Sequence, residues 1–558
     1  MIAVAKKEKI ESFELSDFRR KFPATVANLG ALPDREMWLK RIWELDERWR
    51  QFQSNQSLTD EVLFDEKPPQ GLSVEAEFDI IYAGGTLGLL HAATMAKTFN
   101  RKVLVFDAHV VGKTHRDWNI SDDELQEFVR AGLFTKDELE KSIVNRYKTG
   151  FVKFHDANSR IKTPPLFMDK VLDVAIEADI LLELAKLKLE NSNTDSLIFD
   201  NHKFIRAYVQ PDKVFVETEN VKTSQRKLFA ARLFVDATGT NSTASRQINA
   251  GKSITHVCPT VGTVAKGFVR GQDVDTVDFS VGEILVSNED SSDNRQLIWE
   301  GFAGNPRKDE YTTYLFFYDN LNSDADKSLL NLFESYFEKL RNYKRQSANW
   351  RVLKPVFGYI PSVHHHGWKN VKKTATNRVL LVGDAAGLSS PLTFCGFGSH
   401  VRNLRRLTHL TELALKADAV DEKSLSTINA YEPRVAQMSS LAEFMRPQTK
   451  SKAGVVNETM NAVMMALSQL DEKVRQDMFK DRISFKLFRQ LLKRTATIHP
   501  PVFKRMFEHL GVKNSFWWLA NIGKAALHER KSKSNSSDSP DDFVSAIEFY
   551  ERESGKIE

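Results

Sequence analysis

The chain has 558 residues, 41% hydrophobic and 27% charged, which indicates a globular protein with more than one folding unit and excludes a disordered or fibrous chain. Two cysteines exclude a disulfide framework and a Cys-rich zinc module. The net charge of +5 is too small for this length to indicate a nucleic-acid partner. The N-terminus lacks the apolar stretch of a signal peptide and no apolar run is long enough for a membrane span, so we expect a cytoplasmic location.

The first 70 residues contain an apolar stripe with helical spacing, formed by Trp38, Ile42, Leu45, Trp49 and Phe52. We therefore expect residues 1–70 to be a helical N-terminal extension that packs on the following domain.

A strand, a glycine-rich turn and a helix follow in that order from residue 78. Residues 83–88 match the dinucleotide pattern G-x-G-x-x-G except that Ala83 replaces the first glycine, and we expect Gly84, Gly85 and Gly88 to bind the cofactor. The helix after the turn would direct its positive N-terminus at a pyrophosphate. Asp107 ends the next strand, 22 residues after Gly85, where a carboxylate accepts hydrogen bonds from a ribose.

Two later strand–turn segments point to FAD rather than NAD. The first ends at Gly239, and the second delivers the pair Gly383-Asp384, whose carboxylate suits ribityl hydroxyls. The turn over residues 389–398, with Gly396 and Gly398, would open a helix whose N-terminus faces the flavin ring. Together the three segments resemble the FAD-dependent hydroxylase and geranylgeranyl reductase flavoprotein superfamily, in which the FAD-binding domain is discontinuous.

Longer stretches resemble one branch of that superfamily, the CruA/CruP-type lycopene cyclases of carotenoid biosynthesis. The matching segments lie at residues 83–88, 118–121, 239–247, 299–302, 312–314, 358–361, 383–387 and 390–398. The resemblance implies an acyclic carotenoid or other isoprenoid substrate and reduced FAD. It also implies that an acid protonates a terminal double bond, a ring closes and a proton is lost, without net redox change.

The sequence thus predicts an α/β fold in which a Rossmann-like FAD-binding domain is interleaved with a β-sheet substrate domain. The predicted parts are an N-terminal extension (1–70), three pieces of the FAD-binding domain (71–150, 225–250 and 370–440), a mixed region with the substrate domain (151–224 and 251–369), a basic helical region (441–531), and a mobile linker and tail (532–558).

The implied reaction needs an acid with a raised pKa in an apolar pocket. Residues 297–302 and 311–319 are predicted to form a hairpin around residues 304–306 that could floor the cavity. Glu300 is the first candidate for the acid and Asp319 the second; the alternative for Glu300 is an exposed carboxylate or a structural ion pair. Arg116 is a candidate for flavin or pyrophosphate contact, with a surface arginine as the alternative.

The C-terminal part is basic: residues 480–530 hold eleven Lys and Arg against three acidic residues. Residues 483–493 have the spacing of a basic amphipathic helix, which lies either on an anionic membrane surface or on the protein's own core. The triplet His364-His365-His366 predicts no metal site, because strand alternation points His365 away from the other two. The competing functions are an FAD-dependent monooxygenase or isoprenoid reductase, and a flavin- and carotenoid-binding protein without catalysis.

Overall fold

The computed structural model describes residues 13–53, 61–363, 372–387, 392, 396–429, 441–448, 451–531 and 541–553. In chain order its strands are β1 (Leu63–Phe64), β2 (Val74–Ala83), β3 (Val103–Phe106), β4 (Trp118–Ile120), β5 (Ile143–Arg146), β6 (Thr149–Lys153), β7 (Leu166–Met168), β8 (Val174–Ile176), β9 (Leu197–Phe199), β10 (His202–Val209), β11 (Val214–Asn220), β12 (Arg226–Asp236), β13 (His256–Phe268), β14 (Val281–Val286), β15 (Ile298–Ala303), β16 (Tyr311–Phe316), β17 (Asp319–Asn320), β18 (Gln346–Ser362), β19 (Ala375–Thr376) and β20 (Val379–Leu381).

The helices are α1 (Leu15–Lys21), α2 (Pro23–Leu29), α3 (Arg35–Gln53), α4 (Leu87–Phe99), α5 (Asp122–Arg130), α6 (Lys136–Glu140), α7 (Ala178–Glu190), α8 (Thr243–Ile248), α9 (Leu329–Tyr343), α10 (Gly396–Lys416), α11 (Glu422–Leu425), α12 (Val455–Ser468), α13 (Glu472–Phe479), α14 (Phe485–Ile498), α15 (Val502–Lys531) and α16 (Phe543–Glu553). Short 3-10 turns lie at Pro306–Lys308, Gly383–Ala385 and Ala442–Met445.

The first sheet has nine strands, with a parallel centre in the order β12-β2-β3-β9 and an antiparallel flank of β10, β11 and β12. Strand β20 pairs in parallel with the end of β12. Helices α4, α7 and α10 cover the apolar residues of this sheet. Because crossover helices between parallel strands are the feature of a Rossmann-like layer, the expected α/β fold is confirmed.

The second sheet has eight strands, in the order β17-β13-β16-β15-β14-β6-β7, with β18 also paired to β13. Strands β15 and β16 are antiparallel neighbours in which Glu300 pairs with Tyr314, so the predicted hairpin is confirmed. A three-stranded sheet of β4, β8 and β5 is separate from both larger sheets.

The predicted domain boundaries stay a prediction. The three motif strands β2, β12 and β20 are adjacent in the first sheet although they come from distant parts of the chain. Strands β9 to β11, which fall within residues 151–224, belong to the same sheet. The second sheet shares one apolar core with α3, α9 and α14.

The predicted basic amphipathic helix is α14, and its apolar face is used inside the protein. Phe488 and Leu491 are buried, and the Phe488 ring lies 6.3 Å from that of Trp518 on α15. Exposed apolar side chains lie instead on α15, which kinks at Gly511; they are Phe503, Phe507, Val512, Phe516, Leu519 and Leu527. Within the described ranges, no helix is both long and apolar enough to cross a membrane.

The predicted linker lies mostly outside the described residues. Of the range 532–558, residues 543–553 form α16, whose Ala546, Phe549 and Tyr550 are buried against the core of the first sheet.

Candidate functional site

Three strands of the first sheet end side by side, and each is followed by one of the predicted turns. Asp236, the last residue of β12, is in register with Ala83 on one side and Leu381 on the other. Since ligands of open α/β sheets bind at the carboxyl ends of the strands, this edge is the expected binding edge.

The glycine-rich turn between β2 and α4 packs against the turn after β12. Gly84 has a φ of +115°, and a Cβ there would lie 2.3 Å from the carbonyl oxygen of Ala237. A Cβ at Gly88 would lie 2.9 Å from the Cβ of Ala237. Only glycine permits this approach of backbone to backbone, which leaves the N-terminus of α4 open towards the sheet edge.

Asp107 occupies the predicted ribose-binding position at the end of β3. Its Oδ2 accepts a hydrogen bond from the Gly85 amide and its Oδ1 accepts one from the His109 amide, each at 2.8 Å. The two amides fix the carboxylate beside the glycine-rich turn. This turn, helix terminus and acid fit the phosphate and ribose of a dinucleotide.

Asp384 follows β20 and lies half-buried beside two cations. Nη1 of Arg116 lies 3.7 Å from its Oδ2. Burial raises the pKa of Asp384, while the charges of Arg116 and Lys372 lower it. Lys372 is itself buried, and its Nζ donates a hydrogen bond to the carbonyl oxygen of Ala385 at 2.7 Å. Burial lowers the pKa of Lys372 to about 7, although the charges of Asp236 and Asp384 raise it.

A cavity of about 370 Å³ opens at this edge of the sheet and extends to the second sheet. Among its walls are the predicted residues Asp107, Arg116, Gly239, Glu300, Gly383, Asp384 and Gly396. Gly398 lies in the first turn of α10, where a Cβ would come within 2.6 Å of the carboxylate of Glu124. The structure therefore brings Glu300 and the predicted cofactor turns to one cavity.

Glu300 is buried in the cavity wall on β15, with 1% of its surface exposed. Its Oε1 accepts a hydrogen bond from Asn119 Nδ2 at 3.0 Å, and its Oε2 has no hydrogen-bond partner among the described residues. Burial raises its pKa to about 8, and the hydrogen bond from Asn119 opposes that rise. Glu300 is therefore neither an exposed carboxylate nor a member of an ion pair within the described part of the chain, and at neutral pH it is a neutral acid.

Asp319, the second candidate, lies elsewhere. Its Oδ2 is 2.9 Å from Lys327 Nζ and also accepts a hydrogen bond from Ser323, and its Oδ1 is 3.9 Å from Arg446. It lines a separate small pocket with Glu443 and Arg446 rather than the cavity of Glu300. The structure thus places Asp319 in a buried charge network and does not bring it to Glu300.

Several cavity residues were not identified from the sequence. Arg41 comes from α3 in the N-terminal extension, and no pattern marks it. His115 is buried with its Nε2 2.8 Å from the carbonyl oxygen of Phe357, and burial holds its pKa well below the usual value. Asn119 lies within residues 118–121, one of the segments that carry the family resemblance, and this is the one sequence signal that marks it.

In the described ranges, no group of three or more His, Cys, Asp or Glu side chains could hold a metal ion. The triplet His364-His365-His366 lies outside the described residues.

The fold is similar to that of several solved flavoprotein structures. A geranylgeranyl bacteriochlorophyll reductase-like protein from Thermoplasma acidophilum is 14% identical with a TM-score of 0.53, covering 78% of this chain and 99% of its own. The p-nitrophenol 4-monooxygenase PnpA from Pseudomonas putida DLL-E4 is 16% identical with a TM-score of 0.51, covering 75% and 99%. The halogenase PltM in complex with phloroglucinol and FAD is 15% identical with a TM-score of 0.51, covering 86% and 96%.

At these identities the likeness shows the fold alone. No known family's sequence profile matches the chain, and no curated protein matches it in sequence.

Proposed function

We propose that the protein is an FAD-dependent enzyme of the lycopene cyclase type, which closes an end ring of an acyclic carotenoid by proton transfer without net redox change. The observation that carries the proposal is Glu300, a buried neutral acid with one oxygen unpartnered among the described residues, in the same cavity as the dinucleotide turns. Protonation of a carbon–carbon double bond requires such an acid, and hydroxylation by a monooxygenase does not.

The residues that would hold FAD are those of the three turns. Gly84, Gly85 and Gly88 with the N-terminus of α4 suit the pyrophosphate, Asp107 the ribose, and Asp384 the ribityl chain. The solved structures of similar fold support this choice, since one of them contains FAD. When bound, FAD supplies a redox-active ring system that is anionic in its reduced form.

Glu300 performs both proton transfers in this proposal. Its protonated oxygen gives a proton to the terminal double bond of the substrate, which leaves a carbocation that the neighbouring double bond attacks to form the ring. The Glu300 carboxylate then takes a proton from the adjacent carbon, which restores a double bond and the neutral acid. Asn119 holds Oε1 as the acceptor, so that Oε2 is left to carry the proton.

A redox reaction is the second candidate, because two of the similar folds are named as a reductase-like protein and a monooxygenase. It predicts one reduced nicotinamide consumed per product. A cyclase predicts many products per reduced flavin. The third candidate, a flavin- and carotenoid-binding protein without catalysis, predicts binding of both ligands and no product.

The substrate class also suggests where the enzyme works. We propose that the exposed apolar face of α15 contacts an anionic membrane surface, from which a carotenoid would enter. Phe503 and Phe516 are 60% and 65% exposed, and residues 480–530 carry a net charge of +8. Exposed aromatic residues beside an excess of Lys and Arg are typical of helices that lie on anionic lipid.

The proposal is tested by expression in cells that accumulate lycopene, followed by pigment analysis of wild type, Glu300→Gln and Glu338→Gln. Glu338 is an exposed carboxylate on α9 and serves as the matched control. We expect cyclic product from wild type and from Glu338→Gln, and its loss in Glu300→Gln. Unchanged pigment from flavin-loaded wild type would count against the cyclase, and unchanged product from Glu300→Gln would exclude this acid.

A further inference from the structure

The N-terminal extension contributes a charged side chain to the cofactor cavity. Arg41 of α3 lines the cavity together with Asp107, His109 and Arg116, although it precedes the aspartate by 66 positions in the chain. The dinucleotide pattern begins only at β2, so no element of that pattern requires a residue from this helix.

Helix α3 is held firmly on both sides of Arg41. Before it, the Trp38 ring lies 6.4 Å from that of Phe357 in an edge-on contact. After it, Asp46 accepts hydrogen bonds from the amides of Leu329 and Leu330 at the start of α9. The first amides of a helix have no acceptor within the helix, so the Asp46 carboxylate takes the place of an N-cap for α9. This contact fixes α3 relative to α9.

Trp49 adds a stacked contact, with its ring 4.3 Å from that of Tyr359. The Tyr359 hydroxyl donates to Asp46 at 2.8 Å. The position of Arg41 over the cavity is thus set by the packing of α3 on the second sheet.

The guanidinium of Arg41 has no hydrogen bond or ion pair to any residue in the described ranges. Asp107 attracts it but forms neither a hydrogen bond nor an ion pair with it, and the carboxylate is oriented by the amides of Gly85 and His109. The neighbouring cations Lys113 and Arg116 have carboxylates at 3.7 Å, namely Asp179 and Asp384.

The other charges that face Arg41 are Glu44, which attracts it, and Arg48 and Arg116, which repel it. Burial lowers the pKa of Arg41, so its charge is partly removed from water. Its guanidinium carbon lies 5.8 Å from the centre of the Trp38 ring, a cation–π contact that leaves the N–H groups without an acceptor among the described residues. A half-buried guanidinium in this situation gains from an anionic ligand, above all from the paired oxygens of a phosphate.

We infer that Arg41 is a phosphate-binding residue of the cofactor cavity, through which the N-terminal extension takes part in holding the dinucleotide. The inference rests on the proposed function, since it assumes that the cavity binds FAD. Beyond the proposed function, the inference states that a residue outside the Rossmann-like sheet contributes to the affinity for the diphosphate of FAD.

The test measures FAD binding to the full-length apoprotein by quenching of flavin fluorescence, at low and high salt. The variants are Arg41→Gln and Arg41→Met, with Lys40→Gln as the control because Lys40 is exposed on the same helix. Riboflavin, which lacks phosphate, is measured beside FAD. Thermal melting of each apoprotein shows whether α3 still packs.

We expect each Arg41 variant to raise the Kd for FAD about tenfold, the usual effect of losing one hydrogen bond to a charged group, and to weaken its salt dependence. Riboflavin binding and Lys40→Gln should match wild type. A folded Arg41 variant with the wild-type Kd for FAD would overturn the inference and leave the proposed function intact. Failure of the wild type itself to bind FAD would overturn both.

Discussion

The side-chain amide of Asn119 donates a hydrogen bond to Glu300 Oε1 at 3.0 Å, and the other oxygen of that carboxyl group has no partner among the described residues. The pair joins β4 to β15 of the second sheet across the cavity wall. One oxygen is therefore fixed as an acceptor while the second is left to hold a proton, which is the arrangement that a general acid needs.

Removing the Asn119 donor should move the pH dependence of activity. In Asn119→Ala the hydrogen bond that lowers the pKa of Glu300 is lost, so its pKa rises further above about 8. We expect the basic limb of the activity profile to shift to higher pH, measured as initial rates of product formation. Asn145→Ala is the control, because its amide bonds the Phe279 carbonyl away from the cavity. An unshifted basic limb in Asn119→Ala would show that the pair does not act through the pKa of Glu300.

The stability of the protein should depend on pH through Glu300. Burial raises its pKa from 4.5 to about 8, so the native state keeps a proton that the unfolded state has lost. Its contribution to the free energy of unfolding is fully present below pH 4.5 and is lost as the pH rises to about 8. Glu300→Gln has no such loss, so its melting temperature relative to wild type should increase from about pH 5 to about pH 8.5.

Thermal melts of wild type, Glu300→Gln and the exposed control Glu338→Gln measure this effect. A melting-temperature difference for Glu300→Gln that stays constant over the pH range would contradict the raised pKa.

The glycine at position 84 should be essential for cofactor binding. Alanine there combines a left-handed φ of +115° with a contact of 2.3 Å to the Ala237 carbonyl oxygen. Backbone strain alone costs on the order of 1–3 kcal/mol, and the contact adds displacement of the two turns. We expect Gly84→Ala to lower the melting temperature and abolish FAD retention on purification.

Gly71→Ala is the matched control, since Gly71 has a φ of +109° but no atom within 4 Å of a Cβ. We expect Gly71→Ala to lower the melting temperature through backbone strain and to retain FAD on purification. Equal FAD retention in the two variants would mean that the close approach to Ala237 is not needed.

Membrane binding should depend on the exposed face of α15. The double variant Phe503→Ser, Phe516→Ser removes two aromatic side chains that are exposed in the structure. Burial of each ring in lipid contributes about 1.5–3 kcal/mol, so we expect the bound fraction to fall more than tenfold in sedimentation with vesicles that contain an anionic phospholipid. Phe167→Ser is the control, because Phe167 is 50% exposed on β7 in the second sheet. Equal sedimentation of the double variant and wild type would contradict the proposed surface.

The cofactor-binding turns could be predicted from the sequence because each is marked by residues that are close together in the chain. The turn over residues 83–88, Asp107 and the strand before Asp384 each combine a short motif with the adjoining strand or helix, and their placement follows from parallel strand order. The hairpin that carries Glu300 was predicted in the same way. The choice between a buried and an exposed Glu300 depends on the position of β15 inside an eight-stranded sheet, which the local pattern of residues 298–303 does not encode.

Contacts between distant elements account for what the sequence did not show. Arg41 reaches the cavity only because α3 packs on β18 and α9, and no spacing in residues 35–53 encodes that docking. The environment of Asp319, the second candidate acid, also depends on a contact that the local sequence does not show. Its ion pair with Lys327 arises from a turn that brings the lysine back towards the strand end.

The most direct test of the account is the reaction of purified protein with lycopene and a limiting amount of FAD, reduced once and kept without oxygen. We predict a product with the mass of the substrate, many product molecules per flavin, and loss of this activity in Glu300→Gln. A product whose mass differs from that of the substrate, formed with one reduced flavin consumed per molecule, would contradict the central claim that the protein is a cyclase.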